Sequence, residues 1–168
     1  MSKPLKAKSS MMAFSTSNNP ATDPSARQRW MAVLARASAA EIRDRLAGCP
    51  DLPPCTRLRG PETGLVMVRG RSGGSGAPFN VGEMSVTRCT VRTGNGVVGH
   101  AYVAGRDREQ AELAARLDAA LQDPALAPAI EQAVIVPLSA AQQAKRDADA
   151  ARAAATKVQF FTMATMRS

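Results

Sequence analysis

From Pro24 onward, apolar side chains recur at Trp30, Val33, Leu34 and Ala37, the spacing of one helical face, with Arg27, Arg29 and Arg36 left to solvent. Pro24 fits the first turn of that helix. Ser38-Ala39-Ala40-Glu41 then reads as a capping box that opens a second short helix carrying Ile42 and Leu46, closed by Gly48 and Pro50. Beyond Pro53 and Pro54 the pattern becomes strand-like over about residues 56–60, 64–71, 81–93 and 97–103. Gly94-Asn95-Gly96 supplies residues that accept the positive φ of a tight turn, so the last two strands form a hairpin and the sheet is antiparallel. Met84 and Val86 share one parity while Cys89 and Val91 take the other, which predicts a bulge near Thr87-Arg88.

Asp107 is placed to cap a third helix, with Gln110 at the reciprocal position and Leu113, Leu117, Ala120 and Leu121 as its buried stripe up to Pro124. Pro128 and Pro137 interrupt the apolar stretch 125–138, predicting a short helix near 126–133 and an extended Val134-Ile135-Val136. From Ser139 to about Thr156 the apolar positions are almost all alanine, which favours helix but buries little area, so this helix depends on docking. The chain then turns β-like at Val158-Gln159-Phe160-Phe161-Thr162-Met163. The expected class is α+β: an antiparallel sheet with flanking helices, a helical pair in front, and an alanine-rich C-terminal helix followed by a strand.

Composition narrows the possibilities. Residues 1–24 are polar and without periodicity, so a disordered extension is expected there, with residues 25–168 as a single domain and 139–168 as its docking segment. No apolar run approaches the roughly 20 residues of a membrane span, and Met11-Met12-Ala13-Phe14 is too short for the core of a signal peptide, so a cytoplasmic location is expected. The net charge of +8 is concentrated in residues 1–36 and in the sheet, where Arg57, Arg59, Arg69, Arg71, Arg88 and Arg92 face only Glu62 and Glu83. That polarity suits an anionic ligand, a nucleic acid or a charged partner subunit. Cys49, Cys55 and Cys89 lack paired C-x-x-C spacing, and a lone His100 cannot complete a zinc set, so reduced thiols and no metal are expected.

No residue pattern announces catalysis. Arg69-Gly70-Arg71-Ser72-Gly73-Gly74-Ser75-Gly76 could cradle a phosphate through freed backbone amides and two arginines. A P-loop needs Gly-Lys before Ser or Thr and then a helix, whereas Ala77-Pro78-Phe79 and a strand follow here, so a strand connection or partner-binding loop is favoured. Gly105-Arg106-Asp107 reads as a helix cap rather than an anion site, because Asp107, Glu109 and Glu112 already supply negative charge. His100 alternates with Val98 and Tyr102 and reads as a strand residue. Cys89 and Arg88 point to opposite faces, which argues against an activated thiolate. Glu62 and Glu83 are more simply partners of arginines than an acid–base pair. The aromatic residues Phe14, Trp30, Phe79, Tyr102, Phe160 and Phe161 are scattered, with no pair on adjacent strands to stack bases, which disfavours nucleic-acid binding. Phe160 and Phe161 fit either a strand of the domain's own sheet or a segment given to a neighbour.

The chain resembles the G subunit of the bacterial carbon–phosphorus lyase core complex, the PhnG family. The resemblance runs from Arg27-Gln28-Arg29-Trp30-Met31 to Phe160-Phe161-Thr162-Met163. Its most specific parts are Glu62-Thr63-Gly64-Leu65-Val66, Gly73-Gly74-Ser75-Gly76, Gly82-Glu83-Met84-Ser85-Val86-Thr87-Arg88, Gly99-His100-Ala101-Tyr102-Val103-Ala104-Gly105-Arg106-Asp107 and Ala111-Glu112. It implies a complex with the H, I, J and K subunits that obtains phosphate from organophosphonates. In its first step G, H and I, with L, join a phosphonate to C1 of the ATP ribose, displacing adenine and giving ribose 1-phosphonate 5-triphosphate. The resemblance assigns the nucleosidase chemistry to the I subunit, and the iron–sulfur cluster and S-adenosylmethionine to J. It brings no catalytic, cofactor or metal residue to this chain. The expectation is an accessory subunit bound mainly to I, with Arg69, Arg71, Gly73, Gly74, Gly76, Arg88, Phe160 and Phe161 as candidate interface or anion contacts. The alternative is a stand-alone basic module that binds an anion or RNA.

Overall fold

The computed structural model describes residues 24–71 and 76–156; the predicted N-terminal extension, apart from Pro24, and the predicted terminal strand lie outside them. Helices α1 (Pro24–Leu34) and α2 (Ala39–Leu46) lead into strands β1 (Cys55–Arg71), β2 (Pro78–Thr93) and β3 (Val98–Ala104), then α3 (Arg108–Ala120), α4 (Ala127–Ile130), a π-helical turn (Glu131–Ile135) and α5 (Val136–Ala155). The sheet is antiparallel in the order β1-β2-β3, which gives the expected α+β class. The helices cover one face of the sheet, here the inner face.

Trp30, Val33, Leu34 and Ala37 are all buried, as their spacing predicts, together with Ile42 of α2, Leu117 and Leu121 at α3, and Val134, Ile135 and Leu138 further on. Cys89, Val91, Ala101 and Val103 supply the sheet's share of the same core. The α2 capping box is present: Ser38 Oγ accepts from Glu41 N at 3.2 Å, and the Glu41 carboxylate accepts from Ser38 N at 2.7 Å. Glycine is required at Gly99, where an added Cβ would lie 2.1 Å from the Ala115 carbonyl oxygen and 2.7 Å from Ala119 N. Helix α3 therefore packs directly on the β3 backbone.

Four local expectations are corrected. The strands near 56–60 and 64–71 are one strand, β1, which passes through Gly60-Pro61 with register shifts at Arg57/Arg59 and Arg59/Glu62. No bulge interrupts β2 at Thr87-Arg88: its pairing with β3 runs regularly from Val86↔Ala104 to Arg92↔Val98. Thr87, Cys89, Val91 and Thr93 keep one parity inward, while Met84 and Val86 occupy the outer face, so the apparent switch came from reading exposed apolar residues as core. At α3, Asp107 Oδ1 accepts from Gln110 N at 2.9 Å, but the Gln110 amide reaches the Leu34 and Ala35 carbonyls instead of closing a reciprocal cap. Finally, Val134-Ile135-Val136 is helical. Pro128 falls in the first turn of α4 and Pro137 in that of α5, where the π turn accommodates a missing N–H.

A carboxylate that the sequence reading overlooked ties the layers together. Asp118 is fully buried on α3 and accepts from Arg27 Nε at 3.1 Å, an Arg27 terminal nitrogen at 2.7 Å, Trp30 Nε1 at 3.0 Å and His100 N at 2.8 Å. One side chain thus joins α1, α3 and the free edge of β3, and the hydrogen bond to Asp118 raises the Arg27 pKa. Arg27 and Gln122 also donate to the Val98 carbonyl, so side chains satisfy an edge that would otherwise stay open.

Candidate functional site

β1 and β2 run well beyond the layer that α3 covers, forming a two-stranded arm. Register assigns its faces, because directly paired residues share a face in an antiparallel ladder. Thr63↔Thr87, Leu65↔Ser85 and Met67↔Glu83 lie on the inner face, and Gly64↔Val86, Val66↔Met84 and Val68↔Gly82 on the outer. A further shift between Val68 and Arg69 leaves Val81 as the extra residue of β2. Val81 Cγ2 stands 2.7 Å from where a Gly70 Cβ would lie, so Val81 joins the outer face beside Phe79, which pairs with Gly70. That face therefore presents Val66, Val68, Phe79, Val81 and Met84, between 37% and 61% exposed. At the base, Thr63 Oγ1 and Thr87 Oγ1 lie 3.1 Å apart and Thr87 donates to the Gly105 carbonyl at 2.9 Å, anchoring the arm to the body.

Below the apolar part, the same outer face becomes polar and cationic. Glu62 Oε1 takes Arg88 Nε at 2.7 Å and Arg59 Nε at 2.8 Å, and Arg88 also donates to Tyr102 Oη at 3.4 Å. The Arg88 pKa is raised, first by the Tyr102 contact and then by Glu62. Glu62, Arg88 and Tyr102 line a groove of about 180 Å³ with Thr63, Gly64, Leu65, Val66 and Val86. Thr90 Oγ1 lies 3.2 Å from His100 Nδ1 farther along the face, and Arg92 has no carboxylate within ion-pair distance among the described residues.

The sequence-predicted site residues are dispersed. Arg88 is on the outer face, whereas strand alternation puts Arg69 and Arg71 on the inner face of the arm, where Arg71 donates to the Gly76 carbonyl at 3.1 Å. Gly73, Gly74, Phe160 and Phe161 lie outside the described residues. Glu62 and Glu83 sit on opposite faces and about 17 Å apart along the strands, too far to work as a carboxylate pair. Burial pushes the Cys89 thiol pKa up, Glu112 adds to the rise, and Arg57 opposes it, which is the reverse of an activated thiolate. Arg57 is itself engaged by Glu112 at 2.8 Å. Among the described residues, no three His, Cys, Asp or Glu side chains gather in a metal-ligand arrangement. No described helix is long and apolar enough to cross a membrane.

The outer-face patch went unnoticed because Leu65-Val66-Met67-Val68 has the apolar content of a buried strand. Its signal was the glycine set Gly64, Gly70 and Gly82, which leaves the face without covering side chains at those positions. Chemically, this geometry offers apolar contact beside cations.

The family described as "Phosphonate metabolism protein PhnG" matches residues 25–166. The chain is also 44% identical over 137 residues, 82% of this chain and 87% of the relative, to the alpha-D-ribose 1-methylphosphonate 5-triphosphate synthase subunit PhnG of Rhizobium meliloti (strain 1021). With the family matched over residues 25–166 and a relative 44% identical across 82% of the chain, this chain belongs to the PhnG family of phosphonate metabolism proteins.

Proposed function

We propose that this chain is an accessory subunit of the carbon–phosphorus lyase core complex, required for making ribose 1-phosphonate 5-triphosphate from ATP and a phosphonate. The observation that carries this reading is the 44% identity across 82% of the chain to a subunit named for that synthase activity. Its role is structural: it holds a catalytic neighbour in shape. The I subunit is the main contact, H, J and K complete the core, and L joins for the transfer step. ATP is a substrate of the assembly, and the iron–sulfur cluster and S-adenosylmethionine belong to J. The site of action is the cytoplasm.

An accessory role accords with the chemistry of the described side chains. Among the described residues, Arg57 is paired with Glu112 and Arg88 with Glu62, so these arginines are held in surface ion pairs. The test is to co-express the core subunits and L with and without this chain, then follow phosphonate-dependent adenine release from ATP. Release that requires this chain, and that the purified chain alone does not give, supports the reading. Full activity without it, or activity from the chain alone, defeats it.

A further inference from the structure

The arm is an element without sufficient support of its own. A two-stranded ribbon is marginal in water, yet this one extends past the helical layer with both faces left exposed by the other described residues. Its outer face carries five apolar side chains that together leave roughly 400 Å² uncovered, the scale at which apolar patches mark interaction sites. Because β3 ends at Ala104, opposite Val86, the β2 edge toward Pro78 has no neighbouring strand among the described residues.

We infer that the outer sheet face is the docking surface for a different subunit of the complex, one that lays an apolar surface over Val66, Val68, Phe79, Val81 and Met84 and sets carboxylates against the arginines below. The inference rests on the proposed function for the existence of that subunit. Charge selects this occupant. The outer face has Arg59, Arg88 and Arg92 against the single carboxylate of Glu62, which already holds two of them. A second copy of this chain fits poorly. Its apolar patch is about half of the ~800 Å² per partner that a stable interface buries, so a dimer would have to cover the cationic half as well. Either two-fold arrangement would then set arginines against arginines or against apolar side chains, with no free carboxylate to receive them.

The test co-expresses the full chain, tagged, with the other core subunits, and measures how much of each is recovered with it by mass. Phe79→Glu with Val81→Glu alters side chains that are at least half exposed and should leave the fold intact, which the circular dichroism of the recovered chain verifies. Recovery of the partner should fall by at least about tenfold, because the new carboxylates would be buried against apolar surface. Arg92→Glu should cut recovery several-fold, with a loss that lessens at high salt. Val136→Gln, at an exposed apolar position on the helical side, should change nothing. Arg69→Ala with Arg71→Ala, on the inner face, should retain recovery to within about twofold. Wild-type recovery of the subunits with equal recovery by the Phe79/Val81 variant would overturn the inference and leave the proposed function standing. Failure of the wild type to recover any subunit would overturn both. A concentration-dependent dimer of the wild-type chain that the Phe79/Val81 variant abolishes would identify a second copy as the occupant and overturn the inference as well.

Discussion

Replacing Asp118 with alanine should be among the most damaging single changes in this domain. The carboxylate has no exposed surface and accepts four hydrogen bonds, two from Arg27, one from Trp30 Nε1 and one from His100 N. Removing one partner of a buried ion pair costs about 3–5 kcal/mol, and an orphaned buried donor such as Trp30 Nε1 adds about 1–3 kcal/mol. The Arg27 side chain is 33% exposed and recovers some hydration, so the combined loss falls near the lower end of the sum, about 4 kcal/mol. Urea unfolding followed by the fluorescence of Trp30, the sole tryptophan, measures it directly. With a slope of about 2 kcal/mol per molar urea, the midpoint should drop by about 2 M. A cycle with Arg27→Met should show strong coupling, because the second substitution removes the charge that the first strands. Arg29→Ala, which breaks the more exposed pair to Glu131, serves as the control and should cost no more than about 1 kcal/mol. A loss below about 1 kcal/mol for Asp118→Ala, or no coupling with Arg27, would refute the claim that this carboxylate locks α1 to α3 and β3.

Three further outcomes are expected. Gly99→Ala should destabilise by about 3 kcal/mol or more, because its Cβ would overlap the α3 backbone and neither element can yield cheaply; thermal unfolding of this variant beside Gly94→Ala, which meets nothing within 4 Å, reads the contrast. Cys89 should resist iodoacetamide at pH 8 in the folded chain and react on denaturation, since burial disfavours its thiolate, and mass spectrometry of the alkylated protein reports this. Glu41 has its pKa lowered by the backbone and side-chain hydrogen bonds from Ser38, so the capping box contributes stability above its ordinary value of 4.5 and loses it as pH falls through the lower folded value. Glu41→Gln should therefore unfold earlier than the parent at neutral pH and converge with it in acid; a gap that widens on acidification would contradict the sign.

Elements whose stability is local were legible in the sequence. Trp30, Val33, Leu34 and Ala37 mark a helical face by period alone, Ser38 and Glu41 mark a cap, and Gly94-Asn95-Gly96 marks a hairpin whose Gly96 adopts φ +89°. Features set by distant partners were not. Asp118 looks like an ordinary polar residue within a helical stripe, because nothing in its neighbourhood announces Arg27 and Trp30 about ninety residues earlier. The π turn shifts the helical period once and leaves no compositional trace, so Pro137 read as a break. The arm was hidden by the same rule that found the core: apolar strands are presumed buried, but Val66, Val68 and Met84 lie on a sheet face that the other described residues leave exposed. Arg88 was singled out as a candidate interface or anion contact, yet its partner Glu62 and its neighbour Tyr102 depend on strand register, which the irregular course of β1 obscured.

The most direct test is amide hydrogen exchange on the purified complex compared with the free full-length chain. Residues 64–71 and 78–86 should exchange rapidly in the free chain and slow by at least about tenfold in the complex, while protection around Asp118 stays unchanged. Equal exchange of the arm in both states, with new protection elsewhere on the chain, would contradict the account.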